Sequence, residues 1–103
     1  MKRARDIRQV CNIVVSANKA QRVVFLHLID DRKYAAIREV AINILINRHI
    51  VLSDKEKRYL RRKTGVLKHI ALKHQNLAAR RALLVKQNLF VKKICSIALR
   101  HLS

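Results

Sequence analysis

The side chains in this sequence with the plainest chemical purpose are cations at helical spacing. Lys55, Arg58 and Arg62 stand at i, i+3 and i+7 in a segment opening Ser53-Asp54-Lys55-Glu56, and Arg61 and Lys63 flank them. On a helix that spacing gathers three positive charges onto one stripe. Such a stripe can follow a phosphate backbone and release its condensed counterions. Arg80, Arg81, Lys86, Lys92 and Lys93 are expected to extend the basic surface. The competing reading is an ordinary solvated face. Ordinary faces mix signs, however, and no acid follows Glu56.

The whole-chain balance supports that expectation. Twenty-four Lys and Arg stand against six Asp and Glu, a net charge of +18 with histidines neutral. All six acids (Asp6, Asp30, Asp31, Glu39, Asp54 and Glu56) precede residue 57, so residues 57–103 carry +13 of the total. Like charge at this density opposes compaction and attracts polyanions. The functional surface is therefore expected in the second half.

Other chemistries lack their parts. Five histidines (His27, His49, His69, His74 and His101) form no HExxH motif and no Cys-His cluster, and the five-residue spacing of His69 and His74 suits one helical face poorly. No glycine-rich phosphate loop or nucleophile elbow occurs. Asp30-Asp31 would point apart on a helix and serve better at its N-terminus. Neither a catalytic residue, a metal site nor a cofactor is expected. Cys11 and Cys95 lie far apart and read as two small buried hydrophobes in a reducing compartment.

Base-specific readout also finds little support. Lys57 to about Leu77, with Gly65 as turn, invites a helix-turn-helix reading, but Arg61 occupies the position four before the glycine, where that motif wants a small residue. The four aromatics (Phe25, Tyr34, Tyr59 and Phe90) form no stacking series. Contact through charge and phosphate fits better than reading of bases.

The elements that must position these residues are helical. Proline is absent and Gly65 is the only glycine, which removes the residues that tight strand turns lean on. Half of the residues are hydrophobic, enough for a core. Ile7, Val10, Cys11 and Val14 make one face of a helix from Ala4 to Val15, opposite Arg5, Arg8, Gln9 and Asn12. A second helix, Lys19 to Ile29, places Ala20, Val23, Val24, His27 and Leu28 on one side. A third, Tyr34 to Asn47, carries Ile37, Val40, Ala41, Ile44 and Leu45 in a stripe widened by Ile42 and Ile46, and is expected at the centre; a dimer seam is the alternative. Ser53 and Glu56 spell a capping box for the fourth helix, and Gly65 ends or kinks it. Leu67, Ile70, Ala71 and His74 follow. Asn76 caps a segment through Lys86, and Leu89 to His101 closes the chain with Phe90, Ile94, Ile97 and Ala98 inward.

The run from Phe25 to Leu84 is similar to small basic helical proteins encoded by Maverick/Polinton-type DNA elements and related animal DNA viruses. It is carried by Ala36-Ile37-Arg38-Glu39-Val40-Ala41-Ile42-Asn43-Ile44-Leu45, Leu52-Ser53-Asp54-Lys55-Glu56-Lys57 and Leu77-Ala78-Ala79-Arg80-Arg81-Ala82-Leu83-Leu84. The resemblance implies a genome-associated or virion-associated role and assigns no functional residue.

The expectation is thus an all-α protein: one basic domain, residues 1–103, built as a compact bundle of five or six short helices. Its expected work is nucleic-acid binding, extending to genome condensation, with DNA favoured over RNA and contacts largely independent of sequence. The alternatives are a small virion or assembly protein meeting an acidic partner, and a membrane-active protein using the Leu89–Leu102 helix at anionic lipid. The lack of tryptophan and a sizeable core weigh against the last. An intracellular setting, nucleus or virion, is expected. Lys2, Arg3 and Arg5 precede an apolar stretch of only six residues broken by Asn12, too short for a secretory signal, whereas a mitochondrial presequence stays an alternative. No stretch reaches the ~20 apolar residues of a membrane span.

Overall fold

Side-chain caps start most of the helices. In the computed structural model, which describes residues 3–46 and 50–102, α1 (Ala4–Ser16) ends where Ala17 turns extended. Asn18 then opens α2 (Lys19–His27): its side chain accepts from the Gln21 amide, and Gln21 accepts from the Asn18 amide in return. Asp30 opens α3 (Asp31–Leu45) by accepting from the Lys33 amide at 2.8 Å. Ser53 opens α4 (Asp54–Arg62) in a capping box with Glu56. Asn76 opens α6 (Leu77–Lys86) through the Ala79 amide. Three helices start without a side-chain cap, α1 after Arg3, α5 (Thr64–Leu72) after Lys63 and α7 (Asn88–Arg100) after Gln87.

The described residues thus hold seven helices and no strand. The all-α class stands; the count exceeds the five or six expected. The extra junction is the single residue Lys63 (φ −109°, ψ 16°), whose off-helix backbone leaves little mark in an apolar pattern; the break at Gln87 (φ −104°, ψ 29°) falls between the expected segments ending at Lys86 and starting at Leu89. Gly65 lies inside α5 without positive φ, so it is no turn glycine, and the helix-turn-helix reading fails at its hinge.

All seven helices contribute to one apolar cluster. The α3 helix packs against α1, α5 and α7 and buries Tyr34, Ala36, Ile37, Val40, Ala41 and Ile44, so it is central as expected. Its expected last residue, Asn47, lies outside the described residues, and Ile46 is exposed. The expected inward faces of α1 and α7 are buried in full. A radius of gyration of 12.4 Å matches the ~13 Å of a compact domain this long.

The α2 helix corrects the pattern reading. Ala20, Val24, His27 and Leu28 face outward, and Arg22, Leu26 and the following Ile29 are buried instead. Arg22 is only 4% exposed and has no carboxylate partner among the described residues. It donates through Nε to Asn88 Oδ1 at 3.1 Å and through Nη1 to the Ala17 carbonyl at 3.2 Å. The Ala17 carbonyl lies at the C-terminus of α1, where unpaired carbonyls concentrate partial negative charge, and Asn88 offers its side-chain amide oxygen from the first residue of α7. A long stem with a satisfied head can bury where a hydrophobicity pattern expects none.

Candidate nucleic-acid interface

The α4 helix presents its charges in an ordered way. Asp54 and Glu56 occupy its first turn, Arg61 and Arg62 its last, each complementing the helix dipole. Its inner face is Glu56 and Leu60, leaving Lys55, Arg58 and Arg62 outward along the expected stripe. The α7 helix runs beside it with Phe90, Val91, Ile94 and Cys95 buried, which turns Leu89, Lys92, Lys93 and Ser96 toward the same side.

Between them lies an open groove of about 600 Å³ lined by Lys55, Arg58, Tyr59, Arg62, Leu89, Lys92, Lys93 and Ser96. Five of its eight lining residues are cations and none is an acid. None of the five takes part in an ion pair among the described residues. Four of the six acids are engaged elsewhere, Asp6 with Arg32, Asp30 with Lys33, Asp31 with Arg80 and Glu56 with Arg100, while Glu39 and Asp54 form no ion pair among the described residues and do not line the groove. The groove therefore concentrates uncompensated positive charge, as an anion site requires.

An ion pair joins the two helices that line the groove. Arg100 donates from Nη1 to Glu56 Oε2 at 2.5 Å and from Nη2 to Oε1 at 2.9 Å, and also reaches the Val51 carbonyl at 3.2 Å. The Arg100 hydrogen bonds, aided by the Ser53 amide, hold the Glu56 carboxyl down at about 2, although burial pushes it up. His101 adds a brace, accepting at Nε2 from the Val51 amide at 3.0 Å while Nδ1 meets the Ile97 carbonyl at 2.9 Å. This geometry needs the neutral ring with its proton on Nδ1.

The structure gathers five of the ten sequence-expected cations, Lys55, Arg58, Arg62, Lys92 and Lys93, and leaves five off the groove. Arg61 is exposed and Lys63 half-buried at the end of α4, neither of them lining it. Lys86 borders a shallow hollow between α5 and α6. Arg80 and Arg81 are occupied within the fold. Arg80 pairs with Asp31 at 3.1 Å and stacks 4.9 Å from the Tyr34 ring centre, and Arg81 donates to the Ile29 carbonyl at 2.8 Å. They brace α6 to the start of α3.

Tyr59, Leu89 and Ser96 are the groove residues that the sequence pattern did not mark, and Tyr59 is the aromatic one. It is half-buried, tilted against Phe90 with ring centres 6.0 Å apart, and Lys93 Nζ lies 5.8 Å from its centre. Burial raises its hydroxyl pKa, with Arg62 pulling the other way. The available signal was its place at i+4 from Lys55, on the edge of the cationic stripe.

Among the described residues no three His, Cys, Asp or Glu side chains come together as a metal site would need; His49 lies outside them. No helix among them is long and apolar enough to cross a membrane. Compared with known proteins, the chain matches no family model, no curated protein and no solved structure.

Proposed function

We propose that this chain is a nucleic-acid-binding protein that holds phosphates in the α4–α7 groove, largely without regard to sequence. The carrying observation is the convergence there of Lys55, Arg58, Arg62, Lys92 and Lys93 from two helices with no acid among the lining residues. Two helices and a bracing ion pair fix the backbone of the groove, so an entering anion has the cationic side chains to order and no helix to move. With +18 on 103 residues, the free chain is self-repelling, and neutralisation by a polyanion would favour the compact fold. The resemblance to proteins of Maverick/Polinton-type elements points the same way, to a genome- or virion-associated role in the nucleus or a virion, where condensation is a natural extension.

A second reading, a small assembly protein with an acidic partner, draws on the outward Val24 and Leu28 of α2, 58% and 68% exposed. Titrating the full chain into a labelled duplex across a salt series tests the first. Contacts from all five groove cations predict a slope of log affinity against log salt near −4 to −5, at about −0.9 per phosphate on B-DNA. No binding at low salt, with capture of poly-glutamate instead, would replace it with the second.

A further inference from the structure

The groove contains more than phosphate contacts require. Cations alone suffice for a backbone, yet Tyr59 and Leu89 line the groove together with the cations of both helices. Leu89 is 68% exposed and lines the groove. Tyr59 is held in place by Phe90, which is itself only 2% exposed, and Lys93 Nζ lies over its ring 5.8 Å from the centre, so a stacking base takes the place of that ammonium on a braced surface. The volume of about 600 Å³ falls within the ~300–1,000 Å³ of small-molecule sites, roomy enough for a nucleoside with its flanking phosphates.

We propose, building on the nucleic-acid reading above, that this groove takes an unpaired base. Tyr59 is its stacking platform, Leu89 packs on its edge, and Arg58, Arg62, Lys92 and Lys93 hold the phosphates on either side. The preferred ligand class is then single-stranded nucleic acid. In a duplex the bases are stacked on one another, and presenting one to Tyr59 costs unstacking and unpairing. A single strand offers its bases freely, and every base has a π-face, so the site discriminates strandedness without reading sequence. The chemistry is shared by DNA and RNA, since the ring and the cations meet parts common to both.

The test uses the full chain in two measurements. In the first, affinities for oligo-dT, oligo-U and a blunt duplex are compared for the parent, Tyr59→Phe and Tyr59→Leu at one low salt concentration. Stacking predicts tighter binding of the single strands, near-parental affinity for Tyr59→Phe, and a loss of about 5- to 150-fold on single strands for Tyr59→Leu. Duplex affinity should hardly change. The second keeps the question open to proof should Tyr59→Leu fold poorly. With ring-labelled tyrosine, only Tyr34 and Tyr59 give NMR signals, and the oligonucleotides should move the Tyr59 ring resonances upfield while leaving those of buried Tyr34 in place. If Tyr59→Leu binds single strands like the parent, or the Tyr59 ring stays unshifted at saturation, the stacking site is wrong while salt-dependent phosphate binding stands. Equal or tighter duplex binding by the parent would overturn the preference. Absence of binding to all three would remove the nucleic-acid reading itself.

Discussion

Arg100, at the end of α7, clamps both carboxylate oxygens of Glu56, in the first turn of α4, at 2.5 and 2.9 Å. Forty-four residues separate them in sequence, and the pair sets the two helices whose cations line the groove. Glu56 is also the reciprocal partner of Ser53 in the capping box. One carboxylate thus starts α4 and fastens it to α7.

The clamp makes stability pH-dependent in a definite direction. Its folded pKa, about 2, lies below the ordinary value of 4.5, so its stabilisation is complete above about pH 4.5 and is lost as pH falls toward 2. Glu56→Gln keeps the cap and removes the ion pair. Chemical denaturation should find it less stable near neutrality by on the order of 1–2 kcal/mol, a figure reduced for the half-exposed Arg100. The two curves should converge near pH 2. A gap independent of pH would show that the pair does not titrate as described.

The two apolar-looking faces of α2 should respond oppositely to truncation. Leu26 is fully buried and Leu28 is 68% exposed. Leu26→Ala is expected to cost about 2–5 kcal/mol, whereas Leu28→Ala should stay within about 0.5 kcal/mol of the parent. Thermal melts of the two variants decide it, and equal losses would contradict the placement of this helix.

Gly65 should be replaceable with profit. It lies in α5 without positive φ, and a Cβ there would meet nothing within 4 Å. Gly65→Ala is therefore expected to stabilise by roughly 0.5–1 kcal/mol, by helix propensity and reduced unfolded-state freedom. A lower melting temperature would mean that the α4–α5 junction depends on the glycine.

Cys11 and Cys95 are both fully buried, on α1 and α7, and hydrogen bonding between the two thiols, with burial, pushes Cys95 up. The thiolate is the reactive form. Neither cysteine should react with an aromatic disulfide reagent in the native protein, and both should react on adding denaturant. Rapid native labelling would show an opening that exposes the α1–α7 seam.

Much of the fold is legible in residue order because caps and periodicity agree. Asp30, Ser53 and Asn76 act as the N-caps their types suggest, and the Ile7–Val14 and Phe90–Ala98 faces turn inward. The α2 face was illegible because Arg22 satisfies its guanidinium at carbonyl and amide oxygens supplied by residues as far away as Asn88. The same limit divides the site. Lys55, Arg58 and Arg62 share a helix, so their spacing shows the stripe. That Lys92 and Lys93 join them, while Arg80 and Arg81 are spent on Asp31 and the Ile29 carbonyl, depends on tertiary packing alone.

Charge-matched variants test most directly where the polyanion binds. One variant combines Arg58→Gln, Arg62→Gln and Lys92→Gln in the groove. The other combines Arg5→Gln, Lys19→Gln and Lys73→Gln, exposed cations on or beside other helices and outside every ion pair among the described residues. Both lose the same charge, so any difference reflects position. Salt titrations on two unrelated duplexes should show the groove variant's slope reduced by about 2.7, at about 0.9 per lost contact, with equal effect on both sequences. The off-groove variant should keep the parental slope. Equal reduction in both variants, or a larger one off the groove, would contradict the account.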